Sequence, residues 1–218
     1  MKPSKWEVVI LKPTPVFQSF IASQFEEADI PNLRLMLTDT TAYVIPKRET
    51  DEQTLDEIEK HYEEMFSHEI QRWLGDEAHH HMEGSFLDFL CCFKFELHSQ
   101  IVVMEDSIES GHQLIRVRPR SIILKWMKSA IERNDKELVD ILQRVNVSHL
   151  AENATVVVKN FKQLKEVQPF LEMCYEPIFK AEMSRMNDNP SQWPRVDSYN
   201  AFCRYFAVDL HTQMIHLH

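Results

Sequence analysis

Glycine is what this chain most conspicuously lacks. Only Gly75, Gly84 and Gly111 occur in 218 positions, where average usage would supply roughly fifteen. Glycine provides the positive φ and the close backbone approach on which phosphate-cradling loops depend. Neither GxGxxG nor the P-loop pattern is present, which excludes nucleotide enzymes built on those loops. GxSxG is missing too, which excludes hydrolases with a nucleophile elbow.

Other absences narrow the class further. No stretch of about 20 apolar residues occurs, so no membrane-spanning helix is expected. The opening MKPSKWEVVIL is not expected to be a signal peptide: its apolar run is short, holds Glu7 and precedes no small-residue cleavage site. Positive charge is in deficit. The formal net charge is −10 and the pI about 5.5, which argues against a non-specific hold on nucleic acid or anionic lipid. The four cysteines, Cys91, Cys92, Cys174 and Cys203, show no CxxC spacing. All four lie among apolar residues, and adjacent cysteines rarely meet disulfide geometry. A reducing cytoplasm is expected, with no cofactor and no metal centre.

What is present reads as an α+β protein, mostly helical with short antiparallel hairpins and no Rossmann or P-loop core. Length permits one large domain or two small ones; one domain over 1–218 is expected, with any sub-boundary near 75–84. WEVVIL (6–11) is a strand by β-branched content. Thr14 and Pro15 predict a helix start, with Val16, Phe17, Phe20 and Ile21 facing the core. LRLMLTDTTAYVIP predicts a hairpin, its strands at 33–37 and 42–45. Residues 50–74 predict a long helix capped by Thr50 and Gln53, with Leu55, Ile58, Tyr62, Met65, Phe66, Ile70 and Trp73 on one face.

SFLDFLCCFKFEL is ambiguous: its apolar residues, including Leu87, fit a buried helix to about Leu97, the favoured reading, while FKFEL also alternates like a strand; a strand over 101–104 follows. A turn through Gly111 leads to a strand over 114–118, which would complete a second hairpin. Helices are expected after Pro119, from Asp135 and across 160–186, where Pro169 and Pro177 break or kink the run. ATVVVK is a short strand. Residues 197–217 read as one final helix capped by Asp197 or Ser198. No internal repeat is evident.

Three stretches could carry chemistry. GDEAHHHMEG (75–84) holds three consecutive histidines, but a helix sets neighbours about 100° apart and a strand splays them. It reads as a solvated link between helices. HEIQR (68–72) falls one residue short of HExxH, because Arg72 stands where the second histidine ligand belongs, and a guanidinium cannot coordinate zinc. RVRPRSIILKWMK is the one basic cluster. Arg116, Arg118 and Arg120 are candidate partner-binding residues, with the acidic helix at 49–64 as one prospective partner, and Lys125 and Lys128 continue the cluster. A nucleic-acid platform would want interleaved aromatics there, and only Trp126 is near. Trp193, in the proline-bounded SQWPR, is either an exposed anchor or folded back on the last helix. His98 is expected to be a hydrogen-bonded core histidine, and the C-terminal histidines His211, His216 and His218 lie where chain ends fray.

Several stretches together, among them KPTPVFQSFIASQ, HEIQRWLG, GSFLDFLCCFKFELHSQIVVME and YNAFCRYFAVDLHTQ, resemble accessory proteins of the Dot/Icm type IVB secretion system of Legionella-type bacteria. The likeness is to DotZ-like cytoplasmic subunits of its coupling complex, with LvgA-like proteins second. It implies a non-enzymatic subunit or adaptor that binds other protein subunits at the inner face of the cytoplasmic membrane, and it assigns no catalytic residue. Homo-oligomerisation stays open. The alternatives are a metal-dependent hydrolase using His79, His81 and either distant carboxylates or His98, and a nucleic-acid binder using the cluster over 116–128.

Overall fold

A computed structural model describes residues 4–24, 31–75, 84–105, 107–130, 140–141 and 143–218. The chain forms two compact units, where one domain was expected. Unit 1 holds 1–99, 109–111 and 211–218; unit 2 holds 100–108 and 112–210. The class is α+β. The triple histidine, and most of the helix expected from Asp135, lie outside the described residues.

In unit 1, β1 (Trp6–Pro13) ends where Pro13 removes a donor, and α1 (Pro15–Ala22) begins at once. The Val16 amide donates to Thr14 Oγ1 at 3.2 Å, which caps the helix. α2 (Leu33–Met36) is capped by Asn32, whose Oδ1 accepts from the Leu35 amide at 2.8 Å. Then come β2 (Ala42–Pro46), α3 (Asp51–Leu74), capped by Thr50, and α4 (Phe86–Cys92), closed by a Ser85/Asp88 capping box. β3 (Phe93–His98) follows α4 without a loop. The final strand of the chain, β8 (Met214–His216), completes a sheet of order β3-β1-β2-β8. β1 is antiparallel to both neighbours, with Val9 opposite Tyr43 and Leu97. β8 runs parallel to β2. Phe17, Phe66, Phe89 and Phe93 fill the core between sheet and helices, each contributing roughly 1.5–3 kcal/mol by burial.

Unit 2 contains β4 (Ile101–Val103), β5 (Gln113–Pro119), α5 (Ser121–Ala130), α6 (Val147–Ala151), β6 (Val156–Lys159), α7 (Val167–Met186), α8 (Tyr199–Tyr205) and β7 (Phe206–His211), whose last residue passes into unit 1. Its sheet order is β4-β6-β5-β7. β5 is antiparallel to β6, and β4 is parallel to β6.

The units share one design, so the reading that no repeat exists is corrected. Among the described residues, and leaving aside helical residues 140–141 and 143–144 and the 3-10 turns Leu164–Glu166 and Pro190–Gln192, the order β1-α1-α2-β2-α3-α4-β3-β4 recurs as β5-α5-α6-β6-α7-α8-β7-β8. The pairing Val8↔Val44 and Val9↔Tyr43 recurs as Leu114↔Val158 and Ile115↔Val157. Ala42↔Met214 recurs as Val156↔Ile101. Five rings of the two aromatic cores correspond. Tyr62, Phe66, Phe86, Phe89 and Phe93 correspond to Tyr175, Phe179, Tyr199, Phe202 and Phe206. The Phe89–Phe93 and Phe202–Phe206 centroids are both 5.2 Å apart. The signal is in the sequence: ExxYExxFxxExxR from Glu59 to Arg72 returns from Glu172 to Arg185, and SxxxFxxxFxxxLHxQ from Ser85 returns from Ser198.

Four further expectations change. Residues 33–36 are helical, so the first hairpin does not form: the Asn32 cap outcompetes a strand pairing. β4 and β5 do not pair, because β6 lies between them, so there is no second hairpin either. The helices expected to reach Leu97 and Leu217 stop at Cys92 and Tyr205. FKFELH and FAVDLH alternate, and a ladder partner turns that alternation into strand. Finally, Val16, Leu55 and Leu87 face solvent instead of the core.

Candidate functional site

The long helices each bury a glutamate followed three residues later by an arginine. On α7, Glu182 is fully buried. It accepts the Thr155 amide at 2.7 Å and Arg185 Nη2 at 2.6 Å. Arg185 also donates to the Leu150 carbonyl at 2.6 Å. On α3, the equivalent Glu69 is buried too, but it accepts from the Tyr43 hydroxyl at 3.1 Å. Arg72 turns instead to Asp39, 3.2 Å from its carboxylate, and to Thr41 Oγ1 at 2.9 Å. Burial pushes the Glu69 carboxyl above its ordinary range against the pull of Thr41 and Arg72. Burial, and then the Glu69 carboxylate, push the Tyr43 phenol well up. Glu69 is thus an interior group and no surface partner for a base. HEIQR is a structural turn of α3.

Beside that turn, unit 1 has a shallow depression of about 430 Å³. His68, Gln71 and Arg72 of α3 form one side; Ser110, Gly111 and the segment Thr212–Ile215 form the other. Gly111 has φ +88°, a left-handed position that favours glycine. It donates its amide to the Met214 carbonyl at 2.9 Å. Thr212 is held by Asp39, its amide at 2.9 Å and its hydroxyl at 2.5 Å. His211 Nδ1 lies 2.9 Å from the Thr40 carbonyl. The C-terminal segment is therefore strand and anchored turn, not a frayed end. His68 Nδ1 is buried with no hydrogen-bond partner. The Arg72 cation is engaged by Asp39, so the depression offers hydrogen-bonding groups and an apolar edge from Met214 and Ile215, with no charge of one sign.

The basic cluster is internal to unit 2. Arg116 Nη2 meets Asp209 Oδ2 at 2.6 Å, and Arg118 Nε meets the same oxygen at 3.0 Å. Burial alone would raise the Asp209 carboxyl, but the two guanidiniums outweigh it and hold it below the ordinary range. Arg120 Nε donates to the Phe206 carbonyl at 3.2 Å. These three arginines thus each contact β7 within unit 2. Their shared strand direction put Arg116 and Arg118 together, as the period-2 argument expected. Trp193 is half-buried. It meets Phe179 of α7 edge to face at 6.2 Å and donates to the Asn187 carbonyl at 2.9 Å. It packs against α7.

His98 is a core histidine, with Nε2 3.0 Å from Glu96 Oε1. The Cys92 thiol is pushed up to about 11 by burial first and by its acidic neighbours after that, so it is no nucleophile at neutral pH. Among the described residues no group of three His, Cys, Asp or Glu side chains is placed to hold a metal ion, and no helix is long and apolar enough to cross a membrane.

What sequence reasoning missed is a set of exposed apolar side chains. Leu87 on α4 is 71% exposed, and Val16 on the adjacent α1 is 53% exposed. Cys91, one turn after Leu87, is exposed as well. Met173 on α7 is 76% exposed. No family model, no curated protein and no solved structure matches the chain.

Proposed function

We propose that the chain is a non-enzymatic interaction subunit of a cytoplasmic multiprotein assembly, of the kind that forms the Dot/Icm type IVB coupling complex. The observation that carries this reading is Leu87. Its counterpart in the second repeat, 113 positions on, is Asn200. The scaffold accepts a polar side chain there, so folding does not require leucine, yet leucine stands 71% exposed. Cys91 likewise corresponds to Arg204, and the exposed Met173 to Lys60. Val16, Leu87 and Cys91 stand exposed on the adjacent helices α1 and α4, and grouped apolar exposure, more than scattered single side chains, supports a contact surface.

The test is a native-salt affinity purification of tagged protein from the source cell, with mass spectrometry and metal analysis of the same sample. The unaltered chain is expected to recover a stable set of assembly proteins. Leu87→Asp is expected to lose at least part of that set while melting at the same temperature. Identical recovery by both proteins, or a lone chain carrying a full equivalent of metal, would overturn the reading.

A further inference from the structure

Each repeat gives its last strand to the other repeat's sheet. β4, from the first repeat, lies beside β6 in unit 2; β8, from the second, lies beside β2 in unit 1. The hydrogen bonds that seat the two strands are the same pair of bonds made twice. The Ala42 amide donates to the Gln213 carbonyl at 3.0 Å, and the Val156 amide to the Gln100 carbonyl at 3.0 Å. The Leu217 amide donates to the Val44 carbonyl at 3.0 Å, and the Met104 amide to the Val158 carbonyl at 3.0 Å. The donors themselves are alike: Ser99-Gln100-Ile101-Val102 and Thr212-Gln213-Met214-Ile215.

The exchange follows from connection length. Only Ser99 and Gln100 separate β3 from β4. β3 sits at one edge of its sheet and the β2 acceptor position at the other. Three strand spacings, about 14 Å, lie between them. β3 and β2 are both antiparallel to β1, so a strand parallel to β2 runs the same way as β3. A parallel return of that kind needs a crossover of about a dozen residues. Two residues span at most ~7 Å, so a repeat cannot fill its own fourth position. The same holds for β7 and β8, separated by Thr212 and Gln213.

We propose that the chain is a strand-exchanged dimer of one module fused into a single polypeptide. On this reading the parallel edges of β2 and β6 are one strand-accepting surface. Its partner is the last strand of a second copy of the module. The fused chain supplies that second copy in cis, and the two halves hold together without the covalent link between them.

The experiment inserts a site-specific protease sequence between Ser107 and Ile108 of the full chain, and cuts after folding. Complete cleavage is confirmed on a denaturing gel. The two fragments are expected to travel as one 1:1 particle of unchanged size by light scattering. The amides of Ala42, Met104, Val156 and Leu217 should keep their slow hydrogen exchange. Separation of the fragments, or co-migration with those four amides unprotected, would overturn the proposal. A second variant works in the uncut chain. Val102→Pro, a change in the first repeat, is expected to raise the exchange rate of the Val156 amide in unit 2 by tenfold or more, while the Ala42 amide in unit 1 keeps its protection. Loss of protection at Ala42 alone, or at neither amide, contradicts the exchange.

Discussion

Glu69 and Glu182 occupy the same turn of the same helix in two copies of one scaffold, and they end in different electrostatic settings. Glu182 keeps its arginine at 2.6 Å. Glu69 has yielded Arg72 to Asp39 and holds a tyrosine hydroxyl instead. The backbone frame is unchanged, as the matched strand registers show. Two residues of the facing segment differ: Tyr43 and Asp39 in the first repeat stand where the second has Val157 and Asn153. The phenol reaches the glutamate, and its hydroxyl hydrogen bond stands where the second repeat has an ion pair. A fold of this kind is specified by register and ring packing, and leaves its buried polar groups free to diverge.

The comparison can be broken at four points. Phe89→Ala and Phe202→Ala remove equivalent fully buried rings, and each is expected to lower stability by about 3–5 kcal/mol. Denaturant titration of both should give like losses; a several-fold difference would show that the two cores are not equivalent. Glu182→Ala leaves Arg185 without its buried partner and is expected to cost about 3 kcal/mol or more, a fall in melting temperature of roughly 6–12 °C for a chain of this size.

Asp209→Asn comes third, at about 1–2 kcal/mol, because two charge-assisted hydrogen bonds weaken together. Asp209 is held below its ordinary range, so its contribution is complete above the unfolded value near 3.9 and is lost as pH falls through the folded value. Thermal melts of mutant and parent should therefore converge in acid. If the gap between them does not narrow, the Arg116 and Arg118 contacts are not what stabilise Asp209.

The smallest effect has the opposite sign. The Glu69 carboxyl is raised, so its ionised form is penalised as pH rises above the unfolded value near 4.3. Glu69→Gln is expected to raise the melting temperature by a few degrees at pH 7 and to leave it unchanged near pH 4. A destabilised Glu69→Gln at neutral pH would mean that Glu69 is paired like Glu182, and would remove the contrast between the repeats.

Much of the local structure was legible. The strands at 6–11 and 156–159, the Thr14, Thr50 and Ser198 caps, and the long amphipathic α3 all follow from pattern and capping chemistry. Gly111 at a turn and His98 as a hydrogen-bonded core residue follow as well. The misread segments share one cause. FKFELH and FAVDLH each fit two periods, the helical spacing carried on from the preceding helix and the alternation of a strand, and the neighbouring strand decides between them. LRLM reads as strand by composition, and the Asn32 side chain decides otherwise. The basic cluster was visible, but its partner, Asp209, lies about 90 residues away in sequence. No one-dimensional pattern distinguishes a partnered arginine from a free one.

The amino-acid sequence by itself determined the class, the helix starts and the ring positions that build each core, because these depend on local propensity and periodicity. The duplication was written there also, in the returning ExxYExxFxxExxR. Tertiary structure alone decided which repeat completes which sheet. A two-residue connection permits no parallel return, so β4 and β8 cannot take the fourth position in the sheets of their own repeats. That constraint exists only once strands have directions and distances in space.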